Sequence, residues 1–564
     1  MRKIWKPLDA NPRLQKKLSD ELGISPVFAQ LLLNRNIRTP EEAQFFLFGD
    51  LTHCHDPSLL KDMEKAVRRI KQAVEKREKI LIYGDYDVDG VTSTALLANV
   101  FGEIGADFET FIPNRLEEGY GLNLGAVAVA RERGIGLIVT VDCGINSVKE
   151  VECANGYGID VIVTDHHEVK ADEHPPAYAI IDPHQADCRY PFKYLAGVGV
   201  AYKLARALMR GYEDSVDRHL DLVALGTVAD IAPLHGENRI LTKLGMNRLK
   251  GTDKLGLKAL MDVARISPEK LTCRHIGFIL GPRINAMGRV GSANVALELL
   301  LMKDAAEAKK LANVLERENR NRQAIEKGIL KQAVEKVEEL MAFGEQNAIV
   351  LADEAWHPGV IGIVASRLTE EYGVPAVLIA LEGEKGKGSG RSVDGFNLFE
   401  AIMEAEEHLI DFGGHEAACG VRIKKEKVDA FREKLNKVAE GYFAGREATL
   451  PELDIDLSLP FSRIGGNLVN ELQLLMPYGP GNSEPVFSTG GIKVKNTPRE
   501  IGRNGFKFLA NCGNLTWEAV TFRKNEVLKP KAGNKINLAY TPSINSWDGI
   551  DSIQLNIKDI QVVN

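Results

Sequence analysis

The stretch that most constrains this chain is residues 80–94, ILIYGDYDVDGVTST. An apolar run, Ile80-Leu81-Ile82, stops at Gly84; Asp85, Asp87 and Asp89 follow in alternation, and Gly90 closes the set. This reads as a strand, a tight acidic loop and a helix. Three carboxylates within five residues repel one another, and the end of a buried strand offers them little water. A divalent cation would relieve both problems. A solvated acidic turn is the plainer reading. The same order opens a calcium-binding EF-hand loop, but the twelfth position holds Leu96 in place of a bidentate Glu, and a strand stands where a helix is needed. A phosphatase with an aspartyl nucleophile is a further alternative on this stretch alone.

From residue 80 onward short apolar segments alternate with helix-like ones. Strands are expected at 80–84, 108–112, 137–141, 160–164 and 178–181, and helices at 92–103, 123–133, 146–157 and 197–211. That alternation specifies a mostly parallel, doubly wound sheet, whose ligand site lies beyond the carboxyl ends of its strands. Three strands end in metal-ligand chemistry: the first in Asp85 and Asp87, LIVTV in Asp142-Cys143-Gly144, and VIVT in Asp165-His166-His167. Three such ends on one rim converge on one site. Within the apolar segment 219–232, Asp221 and Asp230 are costly to bury unless paired or metal-bound. Asp230, between Ala229 and Ile231, is the better candidate ligand, with a helix-capping role as the alternative.

Nothing in the composition conflicts with a cytoplasmic, multidomain protein. The 564 residues suggest roughly three or four domains. No apolar run approaches the ~18 residues of a membrane span, and MRKIWKPLDANPRLQKK lacks the apolar core of a signal peptide. Seven scattered cysteines with no Cys-x-x-Cys pair exclude a disulfide framework and a zinc ribbon. With a net charge of −7, a nucleic-acid surface has to be a local basic groove.

Residues 1–75 look helical and carry no evident chemistry. The strongly helical 304–341 has a polar middle, ERENRNRQ, that suggests a connecting helix partly exposed between two domains. A second α/β unit follows at about 345–445, with notable loops at Trp356-His357-Pro358-Gly359, Gly388–Ser392 and Gly413-Gly414-His415. The run 383–392 lacks the Walker spacing, but Ser389 and Arg391 could clamp a phosphate on a strand edge. From about 450, short alternating strands punctuated by Pro, Gly and Asn suggest a small OB-like barrel. Phe506, Phe508, Trp517 and Phe522, with Arg503, Lys507, Arg523 and Lys524 nearby, would suit single-strand binding, although aromatics on strands are more often core.

Taken together the motifs resemble the DHH phosphoesterase family. Tyr-Gly-Asp85-Tyr-Asp87-Val-Asp89-Gly, Val-Asp142-Cys-Gly, Asp165-His166-His167 and Val-Ala-Asp230 are similar to its four motifs, and Gly413-Gly414-His415 to the hallmark of its DHHA1 domain. IPNRLEEGYGLN, PRINAMGRVG and WHPGVIGIVASRL resemble its RecJ branch. The resemblance implies an α/β fold: a parallel-sheet DHH catalytic domain (76–300) behind an N-terminal helical region (1–75). A long helix (301–344) joins it to a smaller α/β DHHA1 domain (345–445), and an OB-like nucleic-acid-binding barrel follows (450–564).

It implies a 5′→3′ exodeoxyribonuclease that degrades single-stranded DNA to 5′-mononucleotides in repair and recombination, with Mn²⁺ or Mg²⁺, two per site. Asp85, Asp87, Asp142, His166, His167 and Asp230 would hold the metals, and Asp89 and Asp165 would orient those ligands. Arg115, Tyr120, Arg283, Arg289, His357, Ser389, Arg391 and His415 would bind substrate, preferably with a 5′-phosphate. A single-strand-binding protein and a helicase are the implied partners, and no membrane. The alternative within the family is cleavage of short oligoribonucleotides or cyclic dinucleotides.

Overall fold

The computed structural model describes residues 3–169, 174–342, 344, 346–444, 451–502, 504–547 and 550–563. The chain forms two compact units, one of Pro57–Asp230 with Asn247–Glu447 and one of Met1–Asp56, Ile231–Met246 and Ala448–Asn564.

The first unit contains two sheets. In the first, β1 (Lys79–Gly84), β2 (Phe108–Phe111), β3 (Ile135–Val141), β4 (Asp160–Thr164) and β5 (Ala179–Ile181) are all parallel, in the order β2-β1-β3-β4-β5. Strands β1, β3 and β4 are apolar at nearly every position because both faces are covered. Leu81, Ile138 and Val161 pack against Ala126, Val127 and Val151 of the helices on one side. The helices Val88–Glu103 and Gly197–Leu208 lie on the other. The chain leaves β1 toward one edge and returns on its opposite side as β3. The carboxyl ends of β1 and β3 therefore flank the switch point where such sheets bind ligands.

The second sheet is formed by β6 (Ile349–Asp353), β7 (Ala376–Glu382), β8 (Lys385–Arg391), β9 (Leu409–His415) and β10 (Ala418–Lys424), in the order β9-β10-β8-β7-β6. Gly413-Gly414-His415, expected as a loop, forms the end of edge strand β9, hairpinned to β10. Its glycines and charged residues hide the strand pattern.

A single helix, Ala305–Ala342, precedes this sheet. Its polar middle is partly exposed, as expected, with Arg317, Arg320, Asn321 and Gln323 in solvent, but one face is buried. Asn319, Arg322 and Glu326 are buried; Arg322 bonds Glu326 at 2.6 Å and Asn319 at 2.9 Å, and Glu326 also pairs with Arg367. The charges are satisfied mutually.

In the second unit the strands Phe487–Val494, Gly505–Cys512, Leu515–Thr521, Lys535–Trp547 and Ile550–Val563 close into a barrel, the first pairing with both the fourth and the second. The first 56 residues belong to this unit rather than to a separate helical region. Phe28, Leu31, Leu32 and Leu47 share one core with Leu468, Leu472 and the barrel interior. Ile4–Pro7 is a strand paired with Glu452–Ile455. Arg239 bonds the carbonyls of Phe46, Leu474, Leu475 and Met476, placing a cation at the carboxyl end of the helix Gly466–Leu474. A chain ending near residue 448 would expose those apolar residues, so we expect it to be insoluble by size-exclusion chromatography. Phe28→Ala should cost about 3–5 kcal/mol in denaturant unfolding of the full chain.

Phe506 and Phe508 are corrected from DNA-facing candidates to core residues. They are fully buried because alternate positions of their strand point into the barrel. Trp517 is half-buried, and Phe522 alone of the four is largely exposed. Lys507 pairs with Glu518 and Arg523 with Glu526, while Arg503 lies outside the described residues. Among the described residues no helix is long and apolar enough to cross a membrane. None of the seven cysteines is in a disulfide.

Candidate active site

The loop after β1 presents Asp85 and Asp87. Asp87 caps the helix Val88–Glu103, one of its oxygens accepting the N–H groups of Asp89 at 2.8 Å and Gly90 at 3.1 Å. The turn is tight enough to demand glycine at 90, since a Cβ there would lie 2.6 Å from the backbone nitrogen of Asp85. Asp142, directly after β3, takes a left-handed φ of 60°. Asp165 and the two histidines follow β4, and Asp230 ends the helix Leu220–Ala229.

These side chains meet. Asp85, Asp87 and Asp142 offer oxygens within 4.8 Å of one another, as do the ligand atoms of Asp142, His166 and His167 and those of Asp89, His166 and Asp230. Asp89 and Asp165 are each held from behind. Asp89 accepts the N–H groups of Gly197 at 2.7 Å and Val198 at 2.8 Å, at the start of the helix Gly197–Leu208. Asp165 accepts the N–H of Ile145 at 2.9 Å and that of His166 at 2.8 Å, and bonds His167 Nδ1 at 2.7 Å. That bond fixes His167 so that Nε2 is left for a ligand. The His166 ring bonds the backbone of Leu195, and its buried Nε2 faces Asp142 Oδ1 at 3.1 Å without a hydrogen bond of good geometry; Oδ1 of Asp85 is buried with no hydrogen-bond partner.

The electrostatics say the same. Burial first, and neighbouring carboxylates second, push Asp85 and Asp142 well above the usual carboxylate range, Asp230 to about 9 and Asp89 to about 7. Burial lowers His166 to about 4. Burial is the largest influence on His167 and would lower it, but the bond to Asp165 and the charges of Asp165, Asp230 and Asp89 together raise it to about 9. Asp165 is lowered, its burial overcome by the same bond together with the charges of His167 and His166 and the Ile145 N–H. A cage of carboxylates that resist ionising together, with two orphaned ligand atoms, fits divalent cations.

The second sheet brings cations to the same rim. Gly362, at the start of the helix Ile361–Tyr372, sits over Ser389 and Arg391; a Cβ there would lie 2.8 Å from Ser389 Oγ and 3.2 Å from Arg391 Nη2. Ser389 and Arg391 bond each other at 3.1 Å. Arg289 is lowered to about 10, by burial and then by the charges of Arg115, Arg322 and Arg391. Arg115, Arg289 and Arg391 stand close enough to repel and, among the described residues, have no carboxylate partner, which suits an anion; Arg322 beside them is paired with Glu326.

Arg283 is not among them. It is ion-paired at 2.7 Å with Glu316 of the connecting helix. His357 accepts the Gly359 N–H at 3.1 Å within its own turn, and His415 is exposed at the hairpin end, accepting the Ala417 N–H. Tyr120, expected to bind substrate, has its hydroxyl 3.1 Å from His167 Nδ1, at the edge of the carboxylate cage. Tyr86, an aromatic between two acids, also borders the site with the Arg115 guanidinium over its ring.

Carboxylates that need cations, beside arginines that need an anion, are the equipment of a metal-dependent phosphoesterase. Comparison with known proteins supports that class and narrows it. Residues 79–227 match the DHH family N-terminal domain, 345–441 the DHHA1 domain and 455–559 the RecJ OB domain. The chain is 40% identical to the single-stranded-DNA-specific exonuclease RecJ of Bacillus subtilis, over 97% of this chain and 69% of that protein. It is 35% identical to that of Escherichia coli, over 95% and 96%. The crystal structure of Thermus thermophilus RecJ in complex with Mn²⁺ superimposes with a TM-score of 0.84 at 31% identity, covering 99% of this chain and 79% of that one. The chain belongs to the family of RecJ single-stranded-DNA-specific exonucleases.

Proposed function

We propose that this chain is a single-stranded-DNA-specific exonuclease that removes 5′-mononucleotides in the 5′→3′ direction, in DNA repair and recombination, and that two divalent cations, Mn²⁺ or Mg²⁺, are held by Asp85, Asp87, Asp142, His166, His167 and Asp230. The observation that carries the reading is the cage of carboxylates that resist ionising, with orphaned His166 Nε2 and Asp85 Oδ1, set beside the arginine pocket. When bound, the cations lower the pKa of water and offset the charge gathering on the attacked phosphodiester.

The chain's own residues supply position. Asp165 keeps His167 in the tautomer that leaves Nε2 available, and Asp89 anchors the loop to the helix Gly197–Leu208. Arg391, Ser389 and Arg289 receive a terminal 5′-phosphate, so the end of the strand is measured from the cage. Arg283 enters this reading as the anchor of its helix to Glu316. A cytoplasmic location is supported by seven cysteines that form no disulfide. A single-strand-binding protein and a helicase as partners remain part of the proposal.

Arg391→Ala should lose the preference for a 5′-phosphorylated end while keeping cation affinity. A charge-assisted contact is worth about 1.5–3 kcal/mol, or roughly ten- to a hundredfold. The check is the kcat/KM ratio for 5′-phosphate against 5′-hydroxyl oligonucleotides, and an unchanged ratio would refute the pocket.

Cation removal should interact with pH. Asp230 at about 9, Asp89 at about 7 and His167 at about 9 all titrate above the ordinary values of 3.8 and 6.5. The folded, chelated protein therefore binds more protons than the unfolded chain between pH 6.5 and 9, and its stability falls as pH rises through that window. Cations replace those protons, so the Tm gained on adding Mn²⁺ should be larger at pH 8.5 than at 6.5. Differential scanning fluorimetry in EDTA and in Mn²⁺ decides this; an equal gain at both pH values would contradict it.

A further inference from the structure

Tyr86 stands between Asp85 and Asp87 and has no part in the reaction as described so far. It is held on two sides. On one, the helix Gly281–Val290 packs onto its backbone: a Cβ at Gly288 would lie 2.6 Å from the Tyr86 carbonyl oxygen and 3.4 Å from its Cβ. The same helix accepts the Val88 N–H on Asn285 at 3.1 Å, and its next residue after Gly288 is Arg289. On the other side the guanidinium carbon of Arg115 lies 5.0 Å from the centroid of the Tyr86 ring.

Arg115 needs such support. It rides on the segment after β2, where Asn114 bonds Leu116 and Glu118, and Lys387 of β8 donates to the Leu116 carbonyl at 2.7 Å. Those bonds fix the backbone and leave the side chain unaddressed. Among the described residues no hydrogen bond or ion pair is made to the Arg115 guanidinium. Its charge is felt by Asp85 on one side and by Arg289 and Arg391 on the other. A guanidinium seated on a ring face keeps the N–H donors of its own plane free for an oxyanion.

We propose that Tyr86 is a positioning residue: its ring seats Arg115 where the guanidinium grips a backbone phosphate of the bound strand, so that the metal loop itself sets the register of the strand against the cations. The inference rests on the reading of the chain as a single-strand nuclease.

The test is a double-mutant cycle in the full-length protein, combining Tyr86→Leu or Tyr86→Phe with Arg115→Ala. It is read as KM and kcat on 5′-phosphorylated single strands in Mn²⁺, as the Kd for the same strand in EDTA by fluorescence anisotropy, and as Mn²⁺ affinity. Tyr86→Leu should raise KM and Kd about five- to thirtyfold, the scale of a partly desolvated cation–π contact. Tyr86→Phe should restore most of that loss, and Tyr86→Leu should cost less than about twofold once Arg115 is alanine. Mn²⁺ affinity should not change. Equal losses with and without Arg115, a phenylalanine as damaging as leucine, or a matching loss of Mn²⁺ affinity would overturn the proposal. A wild-type chain that bound single strands without cleaving them would refute the nuclease reading, while the anisotropy cycle would still measure the Tyr86–Arg115 coupling.

Discussion

Asp87→Asn is expected to abolish hydrolysis while leaving the fold and single-strand binding in place. Asp87 does two jobs. One oxygen caps the helix Val88–Glu103 through the N–H groups of Asp89 and Gly90, and the carboxylate charge faces Asp85 and Asp142 across the cage. Asparagine caps a helix about as well as aspartate, so the substitution removes the charge alone, whereas Asp87→Ala also loses a cap worth about 1 kcal/mol. Residues that only orient a metal ligand typically cost 10–100-fold, and a direct ligand should cost more, so kcat in Mn²⁺ should drop by well over about a hundredfold. Unfolding by urea should be within about 1 kcal/mol of the parent. If the folded variant retained more than a few per cent of activity, the assignment of the cage would be wrong.

A second large effect should follow from a single methyl group. At Gly197 a Cβ would lie 2.7 Å from Asp142 Oδ1 and 2.8 Å from Asp142 Cβ, and the Gly197 N–H is one of the two donors that hold Asp89. Asp142 already has a left-handed backbone and cannot turn aside freely. Gly197→Ala should therefore displace a candidate ligand and its support together. We expect cation affinity and kcat to fall about 10–100-fold, the range for disturbed ligand orientation. Isothermal titration with Mn²⁺ alongside turnover tests this, and normal values for both would show that the cage tolerates displacement of Asp142.

What the sequence revealed and what it hid divide along a physical line. Strand ends were readable because a buried parallel strand is apolar throughout, so Asp85, Asp142 and Asp165 stand out at the points where β1, β3 and β4 stop. The cage followed because one rim collects all such ends. Asp89 and Asp165 were expected to orient ligands, and the sequence could not say what holds them: Asp89 accepts the N–H groups of Gly197 and Val198, more than a hundred residues away, and Asp165 bonds His167.

Long-range pairing was not readable. Arg283 and Arg289 sit six apart on one helix with the same chemistry, and only the partner Glu316 separates the anchor from the pocket residue. Phe506 and Phe508 looked like a stacking platform because strand periodicity says which residues share a face, not whether that face is inside. The core joining Phe28 and Leu47 to Leu472 spans more than 400 residues, and no local pattern announces it. Gly413-Gly414-His415 looked like a loop because glycine carries no β signal, although hairpin pairing with β10 makes it strand.

The most direct test of the central claim is the order in which products appear from a single-stranded oligonucleotide carrying a 5′-phosphate, sampled with Mn²⁺ and with EDTA and resolved at single-nucleotide level. With Mn²⁺, 5′-terminal mononucleotides should appear first and the strand should shorten stepwise from that end. EDTA should stop it, and duplex of the same sequence should be spared. Internal fragments at early times, release from the 3′ end, or undiminished cleavage in EDTA would contradict the account.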